Sequence, residues 1–336
     1  LSSSLVKLAE EFLVYEAGND KPVERKAALL KVYEKWELNP YFKKVLKESQ
    51  AEVDSAEARD AEWHRQNYLL SAAKNVHFDK QKRHTHDQNL VEAGHHLDAF
   101  YLSLKLKYAC EAVNRQHVVA GKYEIPLLEE LLEYVSRNEF EDAPAVAIYF
   151  NILMLLRSPD EGKYFETLKS LLHFHKGQLP GEELRDMYAY AQNHCIRRIN
   201  TGHTEFTGEL LHLYQFGLQE ELLFVEGRLS PWTYKNITSV AFKANEPLWA
   251  RRFVEDYKEK LAPKFAENAY AYNKAYLHFH NNQFDQALQL LNQVEFTDVF
   301  YSLDSKTLLI KIYYELGEDE AMLVAIDAFR TSLRRN

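Results

Sequence analysis

Two amphipathic runs near the end of the chain decide the fold: Phe284-Asp-Gln-Ala-Leu-Gln-Leu-Leu-Asn-Gln-Val294 and Asp319-Glu-Ala-Met-Leu-Val-Ala-Ile-Asp-Ala-Phe329. Both place apolar residues three and four positions apart, which is typical of a helix with one buried face. Ala287 in the first run and Ala321 in the second are 34 residues apart. Self-similarity at a fixed period of about 20–50 residues indicates structural repeats that stack on one another.

A second set of small residues favours helical hairpins in this region. Ala275 stands twelve residues before Ala287, and one period before Ala275 lies Ala241. A small side chain is needed where the backbones of two helices approach closely. One period after Ala275 the chain has Leu309, which departs from the pattern. In the second run seven residues form one helix face: Ala321, Val324, Ala325, Ala328, Phe329, Ser332 and Leu333.

This pattern resembles the tetratricopeptide repeat family, most clearly over residues 230–336. The family's small positions match Ala275, Ala287, Ala321 and Ala328, and the Leu of its first helix matches Leu308. The family's Trp, its Gly at the small position and its terminal Pro are absent from these units. The resemblance implies an all-α fold, a right-handed superhelix (α-α solenoid) of antiparallel helical hairpins with an N-terminal helical region. A related superhelix built from another helical repeat is the alternative.

Composition and patterning agree with a helical chain. Hydrophobic residues make up 46% of the 336 residues, Gly and Pro are scarce, and no stretch alternates with the period of a strand. The segment Asp79–Asn89 contains no apolar residue, and the longest helical pattern, Leu90–Val118, follows it. These features predict an N-terminal helical region at 1–86 and a repeat array at 87–336.

Charge and cysteine usage narrow the class of partner and the compartment. The net charge of −9 disfavours nucleic acid as a partner, because binding to phosphates requires clustered Lys and Arg. The longest apolar run, Ala145–Leu156, is too short to cross a bilayer, so it predicts a buried helix and no membrane partner. Cys110 and Cys195 form no metal or redox motif, which favours reduced thiols and a cytoplasmic protein.

Histidine is the one residue type whose abundance invites a search for metal ligands. Residues i and i+2 of a helix point away from each other, so His-x-His pairs on helices are poor chelators. An extended segment holds its imidazoles closer, but nothing in it fixes the ligand number or spacing of a zinc site. The helical pairs are His173/His175 and His278/His280, and the pair in the polar connector is His84/His86, near His77, Asp79 and Asp87. We therefore predict surface histidines, with no metal site.

Two Glu-x-x-His pairs, Glu92/His95 and Glu209/His212, raise a second kind of metal site. Ferritin-like carboxylate proteins use this pair twice, together with one Glu from each of two further helices. The additional carboxylates are not identifiable, so the ligand set is incomplete and a chance occurrence is the preferred interpretation. Short signatures of nucleophilic, phosphate-binding or zinc-dependent catalysis are also absent from the sequence.

The family resemblance implies a partner-binding face on the first helix of each hairpin. Carrying the register over from Ala275 gives Tyr272, Tyr276, Phe279 and His280, then Lys306, Ile310, Tyr313 and Tyr314 one period later, and Thr238, Phe242 and Asn245 one period earlier. The Lys/Asn clamp with which some members bind a C-terminal carboxylate is missing at these positions. An aromatic groove for an apolar or helical segment is the better match, and packing between repeats is the other role open to these rings.

Taken together, the sequence predicts a non-enzymatic scaffold that binds a protein or peptide segment on the concave face of a helical repeat array. It predicts no catalytic residue and no cofactor. One alternative is a peptide-sensing or ligand-sensing regulator, because repeat-containing bacterial quorum regulators have a similar layout of an N-terminal helical region followed by repeats. The other is a di-metal carboxylate enzyme that uses the two Glu-x-x-His pairs.

Overall fold

The part of the chain that the structure describes is helical. A computed structural model describes residues 22–80, 86–116, 121–292, 294 and 299–335. These residues contain fifteen α-helices and one pair of two-residue strands, so the predicted all-α fold is confirmed. Contacts group the chain into two units, Leu1–Ala191 and Gln192–Asn336, and each unit has a hydrophobic core. The domain division predicted at 86/87 remains a prediction. The helices on either side of it, at Ala61–Lys80 and Gln88–Gln116, contact each other.

The described residues of the N-terminal unit form seven complete helices and part of an eighth. They are α1 (Pro22–Lys35), α2 (Asn39–Ser55), α3 (Ala61–Lys80), α4 (Gln88–Gln116), α5 (Leu128–Arg137), α6 (Pro144–Arg157), α7 (Gly162–Phe174) and the start of α8 (Gly181–Asn200), with a short 3-10 helix at Lys176–Gln178. The predicted long helix at Leu90–Val118 is confirmed as α4 within the described residues.

Helix α6 is the most deeply buried element of the N-terminal unit. It contacts α4, α5 and α7, and its side chains at Ile148, Ile152 and Leu153 have no exposed surface. Pro144 begins the helix at a position where the missing N–H costs nothing. The apolar run at 145–156 is therefore a buried core helix, as the sequence predicts.

The C-terminal unit consists of the end of α8 and a series of shorter helices. They are α9 (Phe206–Gln219), α10 (Pro231–Lys243), α11 (Pro247–Asp256), α12 (Pro263–His280), α13 (Phe284–Leu291), α14 (Val299–Leu316) and α15 (Asp319–Arg335). A short antiparallel pair, β1 (Phe224–Val225) and β2 (Arg228–Leu229), precedes α10, and a 3-10 helix, Lys258–Lys260, follows α11. The sequence also predicts a helix at Leu218–Val225, but α9 ends at Gln219, and turns and the strand β1 occupy the rest of this segment, so the prediction is wrong there.

Three helical hairpins follow one another in the C-terminal unit: α10/α11, α12/α13 and α14/α15. The two helices of each hairpin contact each other, and the first helices make contacts in the order α10, α12, α14. Between the second and third hairpins lies a core formed by Tyr272, Ala275, Ala287, Leu291, Leu308 and Ile312. Ala275 and Ala287 have no exposed surface, which agrees with small side chains at a close helix approach.

The three hairpin turns share one backbone geometry. Each has a residue with positive φ just after the first helix: Asn245 (63°), Asn282 (58°) and Gly317 (73°). Each also has the two backbone hydrogen bonds of a Schellman motif, such as Asn245 N–H to Phe242 O at 3.0 Å and Glu246 N–H to Ala241 O at 2.9 Å. Asn and Gly tolerate this left-handed conformation better than other residues, which explains their place here.

The final helix is only partly covered. Of the predicted α15 face, Ala325 is buried, whereas Val324 and Leu333 are 71% and 52% exposed. Within the C-terminal unit, α15 packs against α14, and no contact of similar extent joins it to another described helix of that unit. The predicted stripe therefore lies partly in solvent.

Candidate functional site

A cavity of about 280 Å³ lies in the C-terminal unit, lined by the first helices of the three hairpins. We call it the first-helix groove. Helix α10 contributes Lys235, Asn236, Ser239 and Lys243, helix α12 contributes Tyr272, Asn273, Tyr276, Phe279 and His280, and helix α14 contributes Asp304, Thr307, Leu308 and Lys311. Nine of these thirteen side chains are polar or charged, even without the two tyrosines, so the groove differs from the aromatic groove for an apolar segment that the sequence suggests.

The residues predicted on α12 line the groove. Tyr272, Tyr276, Phe279 and His280 are all part of its wall. Tyr272 also belongs to the core between the hairpins, and Tyr276 and Phe279 pack against that core. The same rings therefore line the groove and pack between the hairpins, which are the two roles that the sequence leaves open.

The residues predicted on α10 lie beside the groove and do not line it. The Phe242 ring stacks on the His280 ring with centroids 4.4 Å apart. Thr238 is fully buried, and its hydroxyl donates to the carbonyl of Tyr234 at 2.9 Å. Asn245 is the positive-φ residue of the hairpin turn, so its side chain is placed by the turn and not by the face of α10.

The residues predicted on α14 are absent from the wall of the groove. The Lys306 ammonium group donates to the hydroxyl of Ser332 on α15, and Tyr314 is 70% exposed. Ile310 and Tyr313 are half-buried at other positions of the same helix. The groove instead receives Asp304, Thr307, Leu308 and Lys311.

The spacing between the hairpins explains this difference on α14. The turn residues Asn282 and Gly317 are 35 residues apart, whereas the prediction uses a period of 34. A step of 35 residues from Tyr276 selects Lys311, which lines the groove, and a step of 34 selects Ile310, which does not. One residue corresponds to a rotation of about 100° around a helix, so the predicted residues are turned away from the groove wall.

The charges of the groove are predominantly positive. Lys235 forms an ion pair with Asp304, and its ammonium group lies 4.2 Å from the centroid of the Trp232 ring. Lys243 and Lys311 are exposed and have no ion-pair partner within the described part of the chain. Removing one positive and one negative charge for the Lys235–Asp304 pair leaves the two positive charges of Lys243 and Lys311.

The pKa of His280 depends on burial and on these two lysines. Burial, followed by Lys311 and Lys243, lowers the pKa of His280 below its ordinary value. The ring is therefore neutral at neutral pH, at the point where the two lysine charges converge. Burial also raises the pKa values of Tyr272 and Tyr276, so both phenols stay protonated and able to donate hydrogen bonds.

The groove offers charge, aromatic surface and hydrogen-bonding groups. Its described wall contains no Cys and no Ser–His pair within hydrogen-bond distance, and Asp304 is its one carboxylate. That carboxylate is engaged with Lys235. What remains is a positively charged pocket with aromatic walls and the amide group of Asn236.

The histidines of the His-x-His pairs have the following positions in the structure. His84 lies outside the described residues, and His86 is exposed. The rings of His175 and His278 are hydrogen-bonded to Gln178 and Gln283. The predicted absence of chelation by the helical His-x-His pairs remains a prediction.

The two Glu-x-x-His pairs fall on different helices of different units, Glu92/His95 on α4 and Glu209/His212 on α9. Among the described residues, the group of three possible metal ligands that comes together is His64, His96 and Asp142, and it contains neither pair. None of these three residues was predicted from the sequence as a metal ligand. A usable signal was present, because Glu92, His95 and His96 are spaced i, i+3 and i+4 and share a helix face.

None of the described helices is both long and apolar enough to cross a membrane. Comparison of the chain with protein-family models, with curated proteins and with solved structures finds no match, so the case for a function rests on the geometry of its own side chains.

Proposed function

We propose that this chain is a non-enzymatic binding protein whose first-helix groove holds an acidic segment of a protein or peptide partner. In this proposal the three C-terminal hairpins are repeats of an α-α solenoid, and the groove is on its concave face. The single observation that carries the proposal is the pair of exposed lysines, Lys243 on α10 and Lys311 on α14, which line a cavity with aromatic walls together with His280 of α12.

The charge pattern selects the chemistry of the partner. The whole chain has a net charge of −9, so its average field repels an acidic ligand. The groove is an exception, because two uncompensated lysines converge there. Complementary charge at a binding site contributes mainly specificity and association rate. An acidic segment is thus preferred over a basic or neutral one at this site and disfavoured elsewhere on the surface.

The aromatic residues supply the apolar part of the contact. Tyr276 and Phe279 present partly buried rings to the groove, and Tyr272 lies beneath them in the core. Because rigid rings on helices lose little conformational entropy on binding, they are efficient contact residues. A partner segment that places a carboxylate between Lys243 and Lys311 and an apolar side chain on these rings satisfies both features.

The test is a binding measurement with peptides of defined charge. Short fluorescein-labelled peptides of matched length and hydrophobicity, with acidic, neutral or basic residues, are titrated with the full chain and followed by fluorescence anisotropy. We expect saturable binding of acidic peptides, with an affinity that falls as the salt concentration rises, because exposed charges are screened.

Removing the two lysine charges provides the site-specific test. Each exposed ion pair contributes about 0.2–1 kcal/mol, so the double variant Lys243→Gln/Lys311→Gln is expected to weaken binding by about 2- to 30-fold. The matched control is Lys260→Gln/Lys264→Gln, which removes two exposed lysine charges of the same unit outside the groove. Equal affinity for all three peptide classes, or equal losses in both double variants, contradicts the proposal.

A further inference from the structure

A cluster of three imidazoles and one carboxylate lies in the N-terminal unit, separate from the first-helix groove. His64 is on α3, His95 and His96 are on α4, and Asp142 is in the connection between α5 and α6. His64, His96 and Asp142 each offer one ligand atom within 4.8 Å of the other two. The segments that carry them are held in place by the contacts of α3 with α4 and of α4 with α6.

The hydrogen bonds of His64 determine which of its nitrogens is free to bind a ligand. Its Nε2 lies 3.0 Å from the backbone oxygen of Asp142. A carbonyl oxygen only accepts, so Nε2 carries the proton in this contact. Nδ1 therefore holds a lone pair, and this atom lies 3.0 Å from Nδ1 of His96.

The distance between the two Nδ1 atoms is close to that required by one shared metal ion. Zn²⁺ binds imidazole nitrogen at about 2.0–2.1 Å, so two nitrogens on a tetrahedral ion are about 3.3 Å apart. The observed 3.0 Å separation needs only a small widening. The carboxylate of Asp142 offers an oxygen within 4.8 Å of a ligand nitrogen of each histidine, which supplies a third ligand.

The groups around these three residues resemble the supporting shell of a metal site. Metal-binding histidines usually donate their second N–H to a carbonyl or carboxylate, which orients the ring. His64 does so to the carbonyl of Asp142, and Nε2 of His95 donates to the Asp142 carboxylate at 2.8 Å. The edge-on contacts of Trp63 with His64 and His96, at centroid distances of 4.8 and 5.4 Å, form an apolar wall on one side.

The cluster is both fixed and accessible. His64 is fully buried, whereas His96 and Asp142 are partly exposed and His95 is exposed. The exposed side offers an entry path for an ion.

We infer that His64, His96 and Asp142 bind a divalent transition-metal ion, with Zn²⁺ as the best match to two imidazole nitrogens and one carboxylate oxygen. His95 is a positioning residue that orients the Asp142 carboxylate. Three protein ligands leave one coordination position for water or another small ligand, which is the arrangement of open zinc sites. The site is independent of the proposed peptide groove.

The test uses the full chain without an affinity tag, stripped of metal by a chelator and then dialysed. Zn²⁺ is titrated in the presence of a chromophoric competitor, and thermal unfolding is followed in parallel. We expect one equivalent of Zn²⁺ to bind per chain and to raise Tm, because an ion that binds only the folded state stabilises it. Co²⁺ is expected to produce visible d–d absorption typical of nitrogen and oxygen ligation.

Ligand variants separate a metal site from a hydrogen-bonded cluster. His96→Gln and Asp142→Asn are expected to lose stoichiometric binding, and His95→Gln to weaken it by about 10- to 100-fold, as outer-shell changes do. His86→Gln tests the polar connector, and His212→Gln, on the C-terminal unit, is the control; both are expected to bind as the wild-type chain does.

The outcomes that overturn the inference are equally specific. Absence of saturable Zn²⁺ and Co²⁺ binding, or binding that survives both His96→Gln and Asp142→Asn, excludes this site. Loss of binding in His86→Gln assigns the ion to the connector instead. A ligand variant that loses its helical circular dichroism is unfolded and does not test the site. In that case the imidazole ¹⁵N signals of the wild-type chain are followed during Zn²⁺ titration. Perturbation of two histidines supports the site, and unperturbed signals refute it.

Discussion

Two glycines of helix α9 permit a sharp test of how this chain packs. Gly208 and Gly217 are both helical, and a methyl group added at Gly208 meets no heavy atom within 4 Å. The same methyl at Gly217 lies 2.9 Å from Cγ of Leu223, with both methyl carbons of that leucine within 3.3 Å. Leu223 is also tied to this helix, because its N–H donates to the carbonyl of Gly217 at 3.3 Å.

The two substitutions are expected to change stability in opposite directions. Replacing Gly by Ala inside a helix contributes about 0.5–1 kcal/mol, and Gly208→Ala, in the first turn, should gain the lower part of that range. Gly217→Ala has the same gain of about 0.5 kcal/mol, but overpacking costs about 1–3 kcal/mol, so the net effect is a loss of about 0.5–2.5 kcal/mol. Because the gain is common to both variants, the predicted gap between them equals the overpacking cost of about 1–3 kcal/mol.

The assay is urea denaturation of the full chain, followed by far-ultraviolet circular dichroism and by tryptophan fluorescence. The two variants serve as controls for each other, because they make the same chemical change in the same helix. Equal stability of both variants, or a more stable Gly217→Ala chain, would refute the packing described for Leu223.

Two further predictions concern the hairpins and the groove. Ala287→Leu, at a fully buried position between α12 and α13, is expected to lower the free energy of unfolding by about 1–3 kcal/mol, whereas Ala328→Leu, at an exposed position, should change it by less than about 0.5 kcal/mol in the same denaturation assay. A bound carboxylate is expected to raise the lowered pKa of His280, which Lys243, Lys311 and burial hold down in the free chain, so acidic peptides should bind more tightly as the pH falls from 7.5 toward about 5.5. Anisotropy titrations at several pH values measure this dependence.

The controls for these two predictions are available within the chain. Equal destabilisation by the two leucine variants would mean that the hairpins do not approach closely at Ala287. For the pH dependence, His280→Gln should flatten the profile between these pH values. A profile unchanged in that variant would show that His280 does not face the bound peptide.

The helices themselves were largely predictable because hydrophobic periodicity is a local property. The long helix at Gln88–Gln116 and the buried helix at Pro144–Arg157 follow from their apolar patterns and from the Pro that begins the second one. The two-residue strands at 224–225 and 228–229 were not predictable, because so short a pair of strands leaves no periodic pattern in the sequence.

The groove was only partly predictable because a repeat period does not determine helix rotation. The residues proposed on α12 line it, but those proposed on α10 and α14 do not, because an error of one residue already turns a helix by about 100°. Lys243 and Lys311, which give the groove its charge, were missed because they lie 37 residues before His280 and 35 residues after Tyr276. A fixed 34-residue spacing assumes hairpins of constant length, and the turn residues Asn245 and Asn282 are 37 residues apart.

The histidine cluster was missed for a different reason. His64 and His96 are 32 residues apart in the chain, and His95 and Asp142 are 47 apart. Their approach depends on how α3, α4 and the connection before α6 pack together, which no local pattern encodes. The sequence did contain half of the signal, the adjacent His95 and His96 on one helix, and tertiary packing supplied the rest.

The most direct test of the proposed function is methyl and amide NMR mapping of the full chain during titration with an acidic peptide. Thr307 and Leu308 provide methyl probes inside the groove, and Leu30 provides one in the core of the N-terminal unit. We predict saturable shifts at Thr307, Leu308 and His280, with Leu30 unchanged. Saturable binding that leaves the groove signals unmoved, or an absence of shifts at saturating peptide, would contradict the account.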